Sequence, residues 1–357
     1  MNSNSKNLLC SIALLLVLSS CTKQAARINE SFNEDWRFSV ASDSTAIEPG
    51  FNDDSWRQLN VPHDWSIEGE FSEKHPANAG GGALPGGTGW YRKTFTVPEK
   101  FSNKKVFVEF DGVYRNSDVW LNGKHLGYRP NGYISFRYEL TPHLLQDGKE
   151  NVLVVKVDNS RQPNSRWYSG SGIYRNVRLV AVDAVHVDQW GTYITTPAVT
   201  EETATVALRV TVRNTSEAAK DVVVKTSLID PDGKKITEAS ATITGVASGT
   251  SLEAQQNFEI QSPALWSLET PRLYHALTQI LVDDKVVDEY ETPFGIRYFN
   301  FDVDKGFSLN GKSMKILGVC NHHDLGALGA AVNTRAIERQ LEIMKAMGVN
   351  AIRTSHN

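Results

Sequence analysis

Between residues 28 and 182 apolar and polar side chains alternate with a period of two, in short runs separated by turn residues. Successive side chains of an extended strand point to opposite faces, so this rhythm marks strands that bury one face. Lys105 to Phe110 keeps it, as does Asn151 to Val157. Val119-Trp120-Leu121 runs into Asn122-Gly123, a pair that tolerates positive φ twice and suits a two-residue hairpin turn. Pro142 and Asp147-Gly148 mark further turns. No stretch of useful length carries the helical period, and the pattern predicts a two-sheet β-sandwich of jelly-roll type over residues 28–182.

A second β pattern occupies residues 183–297. Thr205 to Arg213 and Val222 to Ile229 read as strands and Pro231-Asp232-Gly233 as a turn. His275 to Val282 and Val286 to Tyr290 read as a hairpin through Asp283-Asp284-Lys285. Strands at this spacing over about 110 residues predict an immunoglobulin-like sandwich. Few aromatic or ionisable side chains cluster in it, so it reads as a spacer without a site.

From residue 298 the pattern changes. Asn310-Gly311 turns a hairpin, and Ile316 to Val319 is expected to continue as a buried strand. A helix follows, capped by Asn333 or Thr334, with Ile337, Leu341, Met344 and Met347 at helical spacing and Gly348 closing it. Val349 to Thr354 is the next strand. Strand, helix and strand make a right-handed crossover, the opening of a TIM (β/α)8 barrel that is incomplete in residues 298–357. Such barrels react where their strands end. Here those ends carry Asn321-His322-His323-Asp324 and Arg353-Thr354-Ser355-His356-Asn357. The fold class is therefore multidomain and mostly β.

Composition adds two exclusions and one address. The 357 residues are 40% hydrophobic and 22% charged, ordinary for two or three soluble domains. A net charge of −4 with both signs interspersed argues against a nucleic-acid partner. Lys6 followed by the apolar run Leu8 to Leu18 fits a signal peptide and is too short to span a bilayer. Leu18-Ser19-Ser20-Cys21 resembles the lipobox of bacterial lipoproteins, which implies removal of residues 1–20 and lipidation of Cys21. An ordinary secretory signal with a chance cysteine is the alternative. The first reading places the protein in the periplasm or outer membrane of a Gram-negative bacterium, touching a membrane only through its lipid. With Cys10 removed and Cys21 lipidated, Cys320 has no partner for an internal disulfide, and a small buried thiol explains it better than a nucleophile.

Several separated motifs then point one way: Val61-Pro62-His63-Asp64-Trp65, Gly89-Trp90-Tyr91-Arg92-Lys93, Asp111-Gly112-Val113, Gly172-Ile173-Tyr174-Arg175-Asn176-Val177, Pro263-Ala264-Leu265-Trp266-Ser267 and Asn350-Ala351-Ile352-Arg353-Thr354-Ser355-His356. In this order and spacing the chain resembles the N-terminal part of family 2 glycoside hydrolases, the β-galactosidases, β-glucuronidases and β-mannosidases. The resemblance covers residues 28–357 and implies a jelly-roll sugar-binding domain, an immunoglobulin-like domain and a catalytic barrel. It implies retaining hydrolysis of a β-glycoside by two glutamates, both on later barrel strands and so absent from this chain. Glu338 and Glu342 cannot replace them, because the helix should turn both to solvent.

For the residues present, the resemblance implies that His322 and His356 donate hydrogen bonds to sugar hydroxyls and that Arg353 steadies the nucleophile carboxylate. Asn164 and Trp167, in the loop Gln162 to Gly172, are implied to reach the bound sugar from the jelly roll. His323 and Asp324 depart from the usual family pattern and read as supporting residues. A metal held by His322, His323 and Asp324 is disfavoured because three consecutive residues rarely converge on one ion. No cofactor is expected in this chain, and magnesium only in the longer enzyme. The run Gly80 to Gly87 lacks a phosphate-loop pattern and reads as a flexible surface loop. Overall similarity favours a β-galactoside over a β-glucuronide or β-mannoside. A noncatalytic glycan-binding lipoprotein is the competing class, and the barrel start argues against it.

Overall fold

The computed structural model describes residues 26–355. The expected signal peptide with Cys21 at one end, and His356 at the other, lie outside the described residues.

The first domain is a sandwich of two antiparallel sheets. One orders the strands Ile28–Ser31, Val177–Val182, Lys105–Phe110 and Phe136–Glu139. The other orders Arg57–Leu59, Trp36–Ser39, Gly87–Thr96, Glu150–Asn159, Ser117–Leu121 and Lys124–Arg129. The alternation works as expected: Val106, Val108 and Phe110 turn inward to Val155, Val157 and Leu179. Each such buried side chain contributes about 1.5–3 kcal/mol. Asn122 and Gly123 both take positive φ, at 50° and 78°, in the predicted hairpin. The run Gly80 to Gly87 is a correction, because it is built into the domain rather than left as a loose loop. Ala79–Gly81 forms a 3-10 turn and Gly87 already belongs to a long strand.

The second domain sets Val185–Val199, Thr203–Asn214 and Ser251–Gln261 against Lys235–Val246, Lys220–Ile229, Tyr274–Val282 and Lys285–Phe294. Seven strands in sheets of three and four match the constant-type immunoglobulin sandwich. Val206, Leu208, Val210 and Val212 face Val222, Val224 and Ile280 across its core.

This domain is not the electrostatically empty spacer its sequence implied. Phe107, Val180 and Val182 bury the outer face of the first sheet, and His186 packs against Phe107 at 6.1 Å. Arg27 grips the fully buried Asp288 through Nε at 3.0 Å and Nη2 at 2.7 Å, and Asp288 also accepts the Val187 N–H at 2.8 Å. Arg137 reaches Asp188 at 2.7 Å while lying over Phe107. Burial drives the pKa of His186 down to about 4, with the Asp288 carboxylate opposing and the Arg27 guanidinium assisting. A histidine depressed in the folded state binds a proton first when unfolded. Its contribution is therefore complete above pH ~6.5 and is lost as pH falls toward about 4. We expect stability to drop by up to about 1.4 kcal/mol per pH unit across that window. Denaturant titrations of the native protein and His186→Asn at stepped pH check this: equal slopes for both would remove His186 as the cause.

The third segment begins with the antiparallel strands Phe299–Asp302, Gly306–Leu309 and Lys312–Ser313. The parallel pair Gly318–Asn321 and Ala351–Thr354 follows, joined by the helix Thr334–Ala346. Asn333 is the cap, its side chain accepting the Ala336 N–H at 3.0 Å, and Gly348 closes the helix at φ 85°. Glu338 and Glu342 face solvent and pair with Arg335. Two expectations fail here. The strand starts at Gly318, not Ile316, and Ile316 and Leu317 are more than half exposed, at 52% and 55%. Cys320 is exposed rather than buried. The cause is common to both: the described residues supply only two parallel strands and one helix, which leaves the faces of each without a covering layer.

Candidate functional site

The residues that follow the first of the two parallel strands meet the jelly-roll loop that runs from Ser160 to Gly172. Register fixes the barrel side of the site. Cys320 lies opposite Arg353 and Asn321 opposite Thr354, so His322 emerges directly past the paired segment. The jelly-roll side supplies Trp167, whose ring meets His322 edge-on at 6.0 Å and 88°. The Trp167 indole donates to the Tyr133 hydroxyl at 3.3 Å, which fixes its plane. These two implied sugar-binding residues, 155 positions apart in the sequence, therefore face each other across the domain seam.

His323 packs into the jelly roll. It sits edge-on to Tyr133 at 5.6 Å and Tyr174 at 5.8 Å, with Nε2 within 3.4 Å of the Ser169 carbonyl. Burial lowers its pKa, so it is neutral near pH 7 and donates from Nε2. It anchors the barrel loop to the sandwich. Asp324 lies in the same loop, and its charge helps raise the pKa of Tyr168.

Asn164 is occupied within its own loop. Its Oδ1 accepts the Tyr114 hydroxyl at 3.0 Å, and its Nδ2 donates to Asn159 Oδ1 at 2.8 Å and the Arg161 carbonyl at 2.9 Å. Those bonds hold the strap that carries Trp167. Arg353 is exposed, with Nη1 3.8 Å from the Cys320 sulfur, and its guanidinium pulls the pKa of that thiol down.

The residue that organises the seam is Asp64, 2% exposed and quoted from the sequence without a role. Its Oδ1 accepts the N–H groups of Ser66 at 3.0 Å and Ser171 at 2.9 Å. Its Oδ2 accepts the Tyr168 hydroxyl at 2.5 Å and the Ala330 N–H at 2.9 Å. Burial pushes its pKa up and these four donors oppose that push. Two glycines let the carboxylate fit. Gly170 and Gly329 take φ 70° and 55°, and a Cβ on either would come within 2.5 Å and 2.3 Å of Asp64 Oδ2. One buried acceptor thus ties two jelly-roll segments, 64–66 and 168–171, to the loop that follows the first barrel strand.

Among the described residues no three His, Cys, Asp or Glu side chains form a cage for a metal ion. His323 is committed to its tyrosines, so the His322-His323-Asp324 run does not fit one.

Sequence models of three parts of one family match consecutive stretches. "Glycosyl hydrolases family 2, sugar binding domain" matches residues 29–183, "Glycosyl hydrolases family 2" residues 185–297, and "Glycosyl hydrolases family 2, TIM barrel domain" residues 302–357. "Beta-galactosidase BoGH2A" of Bacteroides ovatus is 51% identical over 339 residues, covering 95% of this chain and 40% of that protein. A "Putative beta-glucuronidase" of Formosa agariphila is 40% identical over 346 residues, covering 96% of this chain and 32% of that one. The crystal structure of a glycosyl hydrolase family 2 member from Bacteroides cellulosilyticus superposes with TM-score 0.87 at 38% identity, over 92% of this chain and 43% of that one. The chain thus spans less than half the length of the relatives it matches.

Proposed function

The chain belongs to glycosyl hydrolases family 2, and from that premise we propose that it is the N-terminal part of a retaining β-glycosidase acting on β-galactosides. The observation that carries the reading is the seam itself: a jelly-roll tryptophan and a histidine at the end of the first barrel strand turned toward one another. An indole offers a flat apolar face to a sugar ring and an imidazole offers a directed hydrogen bond.

Retaining hydrolysis needs an acid/base and a nucleophile carboxylate about 5 Å apart, flanking the scissile bond. In this reading both glutamates come from the longer protein. The residues of this chain position the substrate: His322 and His356 donate to hydroxyls of the bound sugar, Trp167 packs on it, and Arg353 orients the nucleophile through its planar fork. Hydrogen bonds that tighten as charge develops at the anomeric carbon accelerate the reaction more than bonds equally strong in the ground state. In the intact enzyme His356→Phe should lower kcat/KM at least about tenfold, roughly 1.4 kcal/mol of transition-state binding. Steady-state kinetics measure it, and unchanged constants would remove His356 from the site.

Specificity for galactosides rests on the 51% identity to a protein named as a β-galactosidase. The 40% identical relative named as a putative β-glucuronidase keeps glucuronides as the second reading. A panel of nitrophenyl β-galactoside, β-glucuronide and β-mannoside offered to the intact protein decides between them. Turnover of the glucuronide alone would overturn the first, and turnover of none would overturn the glycosidase reading.

A further inference from the structure

We propose that a cup on the jelly-roll domain, beside the strap that carries Trp167, binds the anionic group of an acidic glycan, a carboxylate or a sulfate ester. The proposal rests on the glycoside-binding reading above and adds a charge requirement on the jelly-roll side of the seam, beside the site rather than within it. The cup encloses about 570 Å³ and is lined by Arg115, Asn116, Ser160, Arg161, Gln162 and Asn164, with two prolines at its edge.

Its neutral polar side chains are already engaged inside the protein. Ser160 Oγ donates to Asp158 Oδ1 at 2.6 Å, and Gln162 Nε2 to the Asn159 carbonyl at 3.3 Å. Asn116 donates to the Asp158 carbonyl at 3.0 Å and accepts the Tyr128 hydroxyl at 3.0 Å. Asn164 is held at both ends, as described above.

The guanidiniums are different. Neither Arg115, half-buried above the Tyr114 ring, nor the exposed Arg161 has a carboxylate or carbonyl acceptor for its side chain among the described residues. The Asp158 carboxylate is not among the groups lining the cup; its Oδ1 accepts the Ser160 N–H and hydroxyl and the Thr88 hydroxyl, and against its burial these bonds together with the Lys156 charge lower its pKa. The charged groups the cup has left to offer are therefore two guanidiniums, with five N–H donors on each arginine, beside the neutral Gln162 carbonyl oxygen.

A donor-rich site discriminates by chemistry. A neutral sugar hydroxyl both donates and accepts, so against two guanidiniums its O–H is left without an acceptor. A carboxylate or sulfate only accepts, and it meets arginine in paired, charge-assisted bonds. The cup is also a local exception in a chain whose net charge is −4, so it does not reflect a generally basic surface. Its position gives it a use: Asn164 lines the cup and Trp167, three residues along the same strap, meets His322. A glycan seated at the rim by one residue can extend along the strap and place a charged neighbour in the cup.

Calorimetric titration of the full chain tests this with four probes: a galactose disaccharide carrying one sulfate ester, a disaccharide ending in glucuronic acid, and the uncharged counterpart of each. We expect at least one charged probe to bind about tenfold more tightly than its counterpart at low salt, with most of that margin lost near 0.5 M salt. The doubly substituted Arg115→Gln/Arg161→Gln protein should lose the margin while keeping its thermal midpoint. If the pair proves unstable, Arg161→Gln alone, on an exposed side chain, should still weaken the charged probe about threefold. Comparing the sulfate and glucuronate arms identifies the source of the charge. Equal binding of charged and uncharged probes, or a margin that survives both substitutions, overturns the proposal. Hydrolysis is not measured, so an intact protein inactive on every nitrophenyl glycoside would sink the glycosidase reading and leave this result standing.

Discussion

Asp64→Ala should lower the thermal midpoint of the jelly-roll transition by roughly 10 °C, the equivalent of about 4 kcal/mol for a domain of this size. The substitution removes one side chain and strands four donors. The N–H groups of Ser66, Ser171 and Ala330 and the Tyr168 hydroxyl all point at the vacated carboxylate. A buried donor left without an acceptor costs about 1–3 kcal/mol, partly relieved when water enters the space. Asp64→Asn keeps the shape and one oxygen but turns an amide N–H₂ toward a donor, so about half the loss should remain. Limited proteolysis supplies a local reading, because the Ala330 bond is what fastens residues 324–331 to the sandwich. New cleavage should appear there first. A midpoint within 2 °C of the native protein, with no new cleavage, would show that the seam does not depend on Asp64.

The second large effect belongs to Arg353. On the retaining mechanism proposed above, in which Arg353 orients the nucleophile, Arg353→Lys in the intact protein should reduce kcat by roughly 10²- to 10³-fold, about 2.7–4 kcal/mol, with little change in KM. The guanidinium stands at the end of the strand Ala351–Thr354, beside the Cys320 sulfur on the neighbouring strand. A lysine would keep the positive charge and lose the rigid fork that fixes a carboxylate in one plane. Substrate binding would survive, while the attack that needs an aligned nucleophile would not. A lysine variant with native kcat would take Arg353 out of the catalytic machinery. A variant whose KM rises while kcat holds would reassign it to substrate binding.

Much of the architecture was legible because it rests on local rules. Two-residue periodicity located the strands of both sandwiches, and Asn122-Gly123 and Asn310-Gly311 sit in left-handed turns as their chemistry requires. Asn333 caps the helix because its side chain reaches an N–H only three residues on. What escaped depended on distant partners. Asp64 acquires its role from an N–H 266 positions away, and Asp288 from an arginine 261 positions away. No local pattern encodes either. The apolar run ending at Cys320 read as buried because apolar runs usually are, yet burial is a property of what lies opposite, and the described residues place nothing over that face. The glycines from 80 to 87 read as slack, whereas Gly86 is small because a Cβ there would lie 2.5 Å from the Asn159 carbonyl. Of the site, Trp167 and His322 were each singled out by the resemblance, but their meeting edge-on across the seam was not. Nor was the tyrosine cradle of His323, since Tyr133 and Tyr174 are separated from it by the length of a whole domain.

The opening strand of the jelly roll, Ile28–Ser31, pairs with its closing strand, Val177–Val182. A ribosome delivers the chain from its N-terminus, so this opening strand emerges long before the neighbour that completes its hydrogen bonds. The nascent domain must wait, half-assembled and adhesive, for some 150 further residues, several seconds to half a minute of synthesis at ordinary rates. The Arg27 to Asp288 tie lengthens that wait for the last locking step to beyond another hundred residues. The jelly roll therefore closes only after most of its own chain has been made, and a chaperone that holds the nascent domain should speed its maturation more than the strength of the finished sandwich would suggest.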